Sequence, residues 1–253
     1  MSATADAAAR DVDWFVLHEP GDATAPWLAQ QLAARLGARV DAVATTELLD
    51  ARLVHHIGGD GIATSFALRD GRRLDHRSVR GGVIRAVRVP RAFLRRFAED
   101  DREYVQQEAF AVLVAALHAL TPNLLNPPDA LGLAGRWRYA DEWARLAAAA
   151  GLPVEPRTDA APPAPSRVGT HRPAEARACV VAGRVLADDA LPRRLLGACA
   201  QLGRAAATPF LELFFVEATR GWCLRGATPL PDPRAHGDAL LDAVASALLE
   251  GAA

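Results

Sequence analysis

The sequence predicts an α/β protein built in two parts, and three features carry this prediction. Apolar runs of strand length alternate with helically spaced apolar residues over positions 11–126. A long apolar helix then ends before Asn126-Pro127-Pro128, because the two prolines prevent it from continuing and force an extended path. A Pro/Ala-rich stretch at about 157–176 cannot build a core and predicts a linker within the second part, residues 127–253.

The first part follows a short N-terminal stretch, residues 1–10, that we expect to be disordered. Runs of apolar residues indicate its strands, and recurring leucines that stop at Gly37 indicate its first helix. The Asp70-Gly71 pair between two β-rich stretches is a strong hairpin signal. The predicted strands lie at 14–17, 39–43, 63–68 and within 74–89, where one strand runs from 83 to 89, and the predicted helices lie at 27–36 and 101–120.

The second part holds fewer elements, separated by turn residues. Its first element is an Ala-rich helix that ends at Gly151. The remaining predicted elements are a hairpin over 177–187, a helix over 192–205, strands over 210–216 and 222–224, and a closing helix over 238–249.

Composition argues against several classes of function. The 253 residues carry a formal net charge of −1, which gives no overall attraction to nucleic acid or to anionic membranes. No apolar run has the length of a membrane span, and residues 1–10 lack a signal-peptide pattern. Cys179, Cys199 and Cys223 have no CxxC spacing and predict buried, reduced thiols in a cytoplasmic protein. All 29 basic residues are arginines, and this Ala- and Arg-rich composition is typical of a high-GC bacterial genome.

The order of these features resembles ATP-grasp ligases of the RimK-like and MvdD-like type, which modify ribosomal peptides or ligate glutamate. The hairpin at Asp70-Gly71, the strand with Arg85 and Arg88, and the long helix after it are similar to the pre-ATP-grasp domain of that family. Asn126-Pro127 matches the family's turn after this helix, and Gly151-Leu152-Pro153 matches the end of the next helix. The resemblance implies a pre-ATP-grasp-like α/β domain followed by a truncated, degenerate ATP-grasp-like α+β domain that lacks its middle.

The resemblance also implies a nucleotide site that has lost its working residues. The family places lysines on the ATP phosphates and holds magnesium with an Asp on one strand and a Glu-x-Asn on the next, because hard cations need clustered oxygens. Alignment puts Arg225 at the Glu and Ala227 at the Asn, and the Asp falls on or near Phe214 or Phe215. We expect no catalytic residue and no metal ligand, and the residual nucleotide-site positions are Arg184, Glu212, Glu217 and Arg225.

These losses favour a non-catalytic protein, an accessory or substrate-binding partner of an intact ATP-grasp ligase in peptide or natural-product modification. The alternative is an active ATP-dependent carboxylate–amine ligase in which arginines replace the lysines on the phosphates, and only this alternative requires ATP and Mg²⁺ as cofactors. Against it, Glu212 and Glu217 are at odd spacing, so a strand would not present both on one face. A third alternative is a homodimer whose role is structural only.

A local run of arginines predicts a second contact surface. Two interpretations stay open, a solvated hairpin face or a docking surface for an anionic ligand or acidic peptide. The candidate contacts are Arg72, Arg73, Arg77, Arg80, Arg85 and Arg88, with Arg69 and His76 beside them. By contrast, His55-His56 would point to opposite faces of a strand, and Gly58-Gly59-Asp60-Gly61 predicts a turn rather than a phosphate loop because no helix follows it.

Overall fold

The structure, a computed structural model, describes residues 10–59, 61–154, 174–219 and 221–252. The predicted N-terminal disorder, apart from residue 10, and most of the predicted linker lie outside these residues. The predicted linker extends too far towards the C-terminus, because a strand already begins at Glu175. Within the described residues, no helix is long and apolar enough to cross a membrane.

Helices and strands alternate along the first half of the chain and again along the second. The helices are α1 Thr24–Leu36, α2 Thr45–Leu49, α3 Arg91–Leu94, α4 Arg102–Leu120, α5 Ala140–Ala149, α6 Leu196–Ala205 and α7 Gly237–Gly251. The strands are β1 Arg10–Asp11, β2 Trp14–His18, β3 Val40–Ala44, β4 Arg52–Gly58, β5 Gly61–Ala67, β6 Arg72–Asp75, β7 Gly81–Arg85, β8 Leu124–Leu125, β9 Glu175–Val181, β10 Arg184–Ala187, β11 Phe210–Ala218 and β12 Gly221–Thr228.

The chain divides into two compact units. Unit one comprises Met1–Trp137 together with Gly237–Ala253, and unit two comprises Arg138–His236. This grouping differs from the predicted division at residue 126, because α7 packs against α1 and returns the end of the chain to unit one. Arg35 on α1 donates to Asp238 at 2.6 Å and to Asp242 at 2.7 Å on α7.

Unit one contains two four-stranded sheets. One is entirely parallel, in the order β3-β2-β7-β8, with α1 connecting β2 to β3. The other has the order β1-β6-β5-β4, in which β5 and β6 form the hairpin predicted around Asp70-Gly71. The last strand of this second sheet, β4, has a free edge in the described part of the chain.

Two glycines explain how closely the parallel strands pack. A Cβ atom on Gly82 would lie 2.7 Å from the ring of Phe15, and one on Gly81 would lie 2.9 Å from the ring of Trp14. Asn123 closes the same end of the sheet, since its amide donates to the carbonyls of Arg80 and Leu248 at 2.9 Å and 2.7 Å. The Gly81-Gly82 pair is therefore required by two buried aromatic rings.

One predicted strand is shorter than expected, and one strand was not predicted. The strand expected over 83–89 ends at Arg85, because the Val87 backbone N–H turns away to donate to the Glu19 carboxylate at 3.2 Å. Arg88 therefore follows the strand instead of lying on it. The strand β4 had no separate prediction, although it pairs with β5 over its whole length.

Unit two contains an antiparallel sheet in the order β10-β9-β11-β12, with α5 and α6 packed on one face. The core between sheet and helices includes Trp143, Val180, Leu202, Leu213 and Phe215. The alternation of β11 is visible here, because every second residue enters this core. The mixed α/β architecture predicted from the sequence is confirmed.

Candidate functional site

The face of the unit-two sheet opposite this core carries the predicted nucleotide-site positions. Leu213 and Phe215 point into the core, so Glu212 and Phe214 point to the other face. The register of β11 and β12 pairs Glu212 with Thr228 and Phe214 with Gly226. Directly opposed residues of an antiparallel pair share a face, so these four positions form one patch.

A β-bulge changes where the predicted positions of β12 lie. Phe214 pairs with Gly226 and Phe215 pairs with Leu224, so Arg225 is the extra residue on β12. Its side chain is exposed, and its Nη1 lies 3.3 Å from Glu175 Oε1. Ala227 packs against the core. Gly226 and Thr228, rather than Arg225 and Ala227, therefore lie opposite the β11 residues of the patch, and neither carries a carboxylate.

Glu212 is the one carboxylate of this patch, and it is buried. Its side chain is 2% exposed, and its two oxygens have separate partners. Oε2 accepts from the backbone N–H of Asp232 at 3.0 Å, and Oε1 lies 3.2 Å from Nε2 of His236. Arg177 adds a guanidinium whose Nη1 lies 3.5 Å from Oε1 and whose Cζ lies over the Phe214 ring, 5.6 Å from its centre.

The electrostatics of Glu212 keep the carboxylate ionised. Burial by itself raises the pKa of this carboxyl, but hydrogen bonds from His236 and from the Asp232 N–H, with the charge of Arg177 nearby, hold the pKa below its usual value. A carboxylate stabilised in this way holds the segment that carries Asp232 and His236 against β11. The sequence analysis did not identify His236 or Arg177 as part of this site. The Glu212–His236 contact spans 24 residues and follows no short motif.

The other predicted positions of this site lie apart from Glu212. Glu217 is exposed near the end of β11, and Arg184 is exposed at the start of β10. Within the described ranges no group of three His, Cys, Asp or Glu side chains is arranged to hold a metal ion. The structure therefore brings none of the predicted positions together as a ligand set.

The arginines predicted as anion or peptide contacts divide into three groups. Arg72 and Arg85 are largely buried and form ion pairs with Glu47 and Asp70 and with Asp22, respectively. Arg73 pairs with Asp75, and Arg80 stacks over the ring of Trp14 at 5.3 Å. Arg77 and Arg88 are exposed, and their side chains have no ion pair or hydrogen bond among the described residues. The six arginines therefore differ in exposure and in pairing, and their role as an anion or peptide contact stays a prediction.

The three cysteines are buried free thiols, as predicted. Burial raises the pKa of Cys199 to about 12. Burial, followed by the nearby charge of Glu212, raises the pKa of Cys179 even further. Because the thiolate is the reactive form, neither side chain is suited to nucleophilic chemistry at neutral pH.

A small cavity lies beside β12, and no pattern in the sequence predicted it. It has a volume of about 250 Å³ and lies between α5 and β12. It is lined by Ala140, Trp143, Ala144, Val154, Leu224, Arg225 and Gly226. Its walls are mainly apolar, and they contain no acidic side chain.

The first prediction concerns Glu212 and acid stability. Because the folded-state pKa of Glu212 is below its ordinary value of 4.5, its ionised form stabilises the fold above that pH, and this contribution is lost as pH falls below it. We expect Glu212→Gln to lower the free energy of unfolding by about 1–3 kcal/mol at pH 7 and by progressively less towards pH 3. Urea denaturation followed by tryptophan fluorescence measures this difference.

Glu217→Gln is the matched control, because Glu217 lies on the same strand and is exposed. Its difference from the wild type should be small at every pH. A Glu212→Gln difference that stays constant between pH 7 and pH 3 would show that the ionised carboxylate does not stabilise the fold.

Comparison with known proteins gives the fold. No family model and no curated protein sequence matches the chain. Among solved structures, macrocyclase MdnB from Microcystis aeruginosa is similar with a TM-score of 0.64 and 18% identity, over 94% of this chain and 99% of that one. Macrocyclase MdnC bound with precursor peptide MdnA, from the same organism, has a TM-score of 0.72 and 11% identity over 94% and 100%.

ATP-grasp ligase PsnB complexed with minimal precursor, Mg and ADP is also similar, with a TM-score of 0.65 and 13% identity over 95% of this chain and 99% of that one. Identities this low establish the architecture and no more. The predicted resemblance in fold is confirmed, and the chain has the fold of ATP-grasp ligases.

Proposed function

We propose that this chain is a non-catalytic ATP-grasp-fold protein that binds a peptide and assists an intact ATP-grasp ligase in peptide or natural-product modification. The observation that carries the proposal is the patch formed by Glu212, Phe214, Gly226 and Thr228. In this patch the one carboxylate is buried and held by His236 and the Asp232 N–H. Mg²⁺-assisted phosphoryl chemistry needs acidic ligands that are free to bind the metal.

The proposal of a peptide ligand is based on the structural neighbours. MdnC was solved bound with precursor peptide MdnA, and PsnB was solved with minimal precursor. A protein that keeps their fold but has no free acidic ligand in this patch retains a scaffold for peptide binding. This supports an accessory role rather than a ligase role.

The β4–β5 hairpin of unit one supports a place for such a peptide. Ile57 and Ile62 lie directly opposite each other near the tip and are 70% and 51% exposed. The outer edge of β4 has no strand partner in the described residues, and an unpaired edge can add an extended peptide as a further strand. Arg52, His55 and His56 lie on β4, which carries no acidic residue. This composition favours a peptide that alternates apolar and acidic side chains.

The second prediction concerns turnover. The purified chain with ATP and Mg²⁺ should form no ADP above a control without protein, because no free carboxylate in the patch can hold the metal beside the phosphates. A coupled assay for ADP measures this, with and without the peptide probe described below. Turnover that is lost in Arg225→Ala but kept in Arg88→Ala would contradict the proposal and favour an arginine-assisted ligase.

The third prediction concerns peptide binding. A fluorescein-labelled peptide of alternating valine and glutamate should bind the chain, and Ile57→Asp should weaken it by at least about tenfold, because the substitution removes apolar contact and adds repulsion to the glutamates. Fluorescence anisotropy measures the affinity.

Leu131→Asp is the control, since Leu131 in unit one is 55% exposed but lies outside the hairpin. It should bind the probe like the wild type. Equal binding by Ile57→Asp and the wild type, or equal binding of a valine–lysine peptide, would exclude this hairpin as the peptide surface.

A further inference from the structure

Unit one contains a cavity at the carboxyl edge of its parallel sheet. The cavity has a volume of about 370 Å³. Its walls come from the segments that follow three strands, with Pro20 after β2, Thr46 after β3 and Ala92 after β7. The turn between β5 and β6 adds Arg69 and Asp70 to the wall.

The topology of the sheet makes this edge a favourable place for a ligand. In the order β3-β2-β7-β8, the chain leaves β2 on one side to form β3 and later returns on the other side as β7. The strand order reverses at β2, and open parallel sheets bind ligands outside the carboxyl ends of their strands near such a reversal. The cavity lies in this part of the molecule.

The acidic side chains of the wall already have partners. Asp50 accepts from both terminal nitrogens of Arg96, and these hydrogen bonds lower the pKa of Asp50. Glu47 and Asp70 both accept from Arg72. The three carboxylates therefore lie within internal ion pairs, and two arginines, Arg72 and Arg96, supply the positive charges.

One cation of the wall, Arg69, has no carboxylate within hydrogen-bonding distance among the described residues, although its charge acts on nearby Asp50. Arg69 is exposed, and its side chain makes no hydrogen bond or ion pair within the described ranges. The hydroxyl of Thr46, on the same wall, likewise has no hydrogen-bond partner among the residues that the structure describes. A planar guanidinium with unused donors and an unused hydroxyl on the wall of one cavity can bind an anion through two or three hydrogen bonds.

We propose that this cavity binds a carboxylate, whose oxygens accept from the Arg69 guanidinium and the Thr46 hydroxyl while its aliphatic part contacts Pro20 and Ala92. A single negative charge suits the site, because the carboxylates of Glu47, Asp50 and Asp70 would repel a phosphate dianion more strongly than a monoanionic group. The assignment goes beyond the proposed function and does not rest on it.

The test is an NMR titration of the full ¹⁵N-labelled chain with three probes, which are butyrate, an N-acetyl glutamate methylamide and inorganic phosphate. We expect saturable shifts with the two carboxylates and weaker binding of phosphate. Arg69→Gln should reduce carboxylate affinity by at least about tenfold, since a hydrogen bond to a charged group is lost. Thr46→Val should reduce it several-fold.

Arg88→Gln is the matched control, because Arg88 is an exposed arginine outside the cavity. It should bind the probes like the wild type. If butyrate binds more tightly than the glutamate derivative, the ligand is a small free acid, and the opposite order indicates an acidic peptide side chain. The proposal would be overturned by any of three results, which are no saturable shift with either carboxylate, unchanged affinity in Arg69→Gln, or tighter binding of phosphate. None of these results would affect the peptide-binding assay on the β4–β5 hairpin.

Discussion

A carboxylate that is 2% exposed stays ionised only when the protein supplies the hydrogen bonds that water would have given, and Glu212 obtains them from His236 and the Asp232 N–H. Removing either partner would take one hydrogen bond from a buried charge. The segment after β12 is therefore held against β11 by a group on the face where a nucleotide-binding relative would need free acidic oxygens. Both oxygens of Glu212 already have polar partners in the protein, and this observation supports the proposed non-catalytic role.

The charges of unit one follow a related pattern. Asp41, Asp50 and Asp70 each receive hydrogen bonds from arginines, and Arg72 alone contacts Glu47, Asp70 and the Ala42 carbonyl. Within the arginine run, Arg72 therefore links the two sheets of unit one, because it lies on β6 and contacts the Ala42 carbonyl of β3. Arg69, Arg77 and Arg88 of this run are exposed, and their side chains make no hydrogen bond or ion pair within the described residues.

Local signals in the sequence predicted the elements, and long-range pairing limited the prediction of the site. Asp70-Gly71 indicates its hairpin because the turn conformation depends on those two residues alone, and Pro127-Pro128 marks the end of the apolar helix pattern for the same kind of reason. The β4 strand was missed, since apolar and polar residue types do not alternate along its sequence, where Leu53-Val54 is followed by His55-His56. The β12 bulge and the Glu212–His236 contact depend on register and on distant residues, and no local pattern encodes either.

The most direct test of the central claim is calorimetric titration of the purified chain with ATP and ADP, with and without Mg²⁺. The account predicts no Mg²⁺-dependent heat at millimolar nucleotide, because the carboxylate in the β11–β12 patch is committed to His236 and the Asp232 N–H. Micromolar binding that requires Mg²⁺ would contradict it, and would show that acidic ligands outside this patch hold the metal.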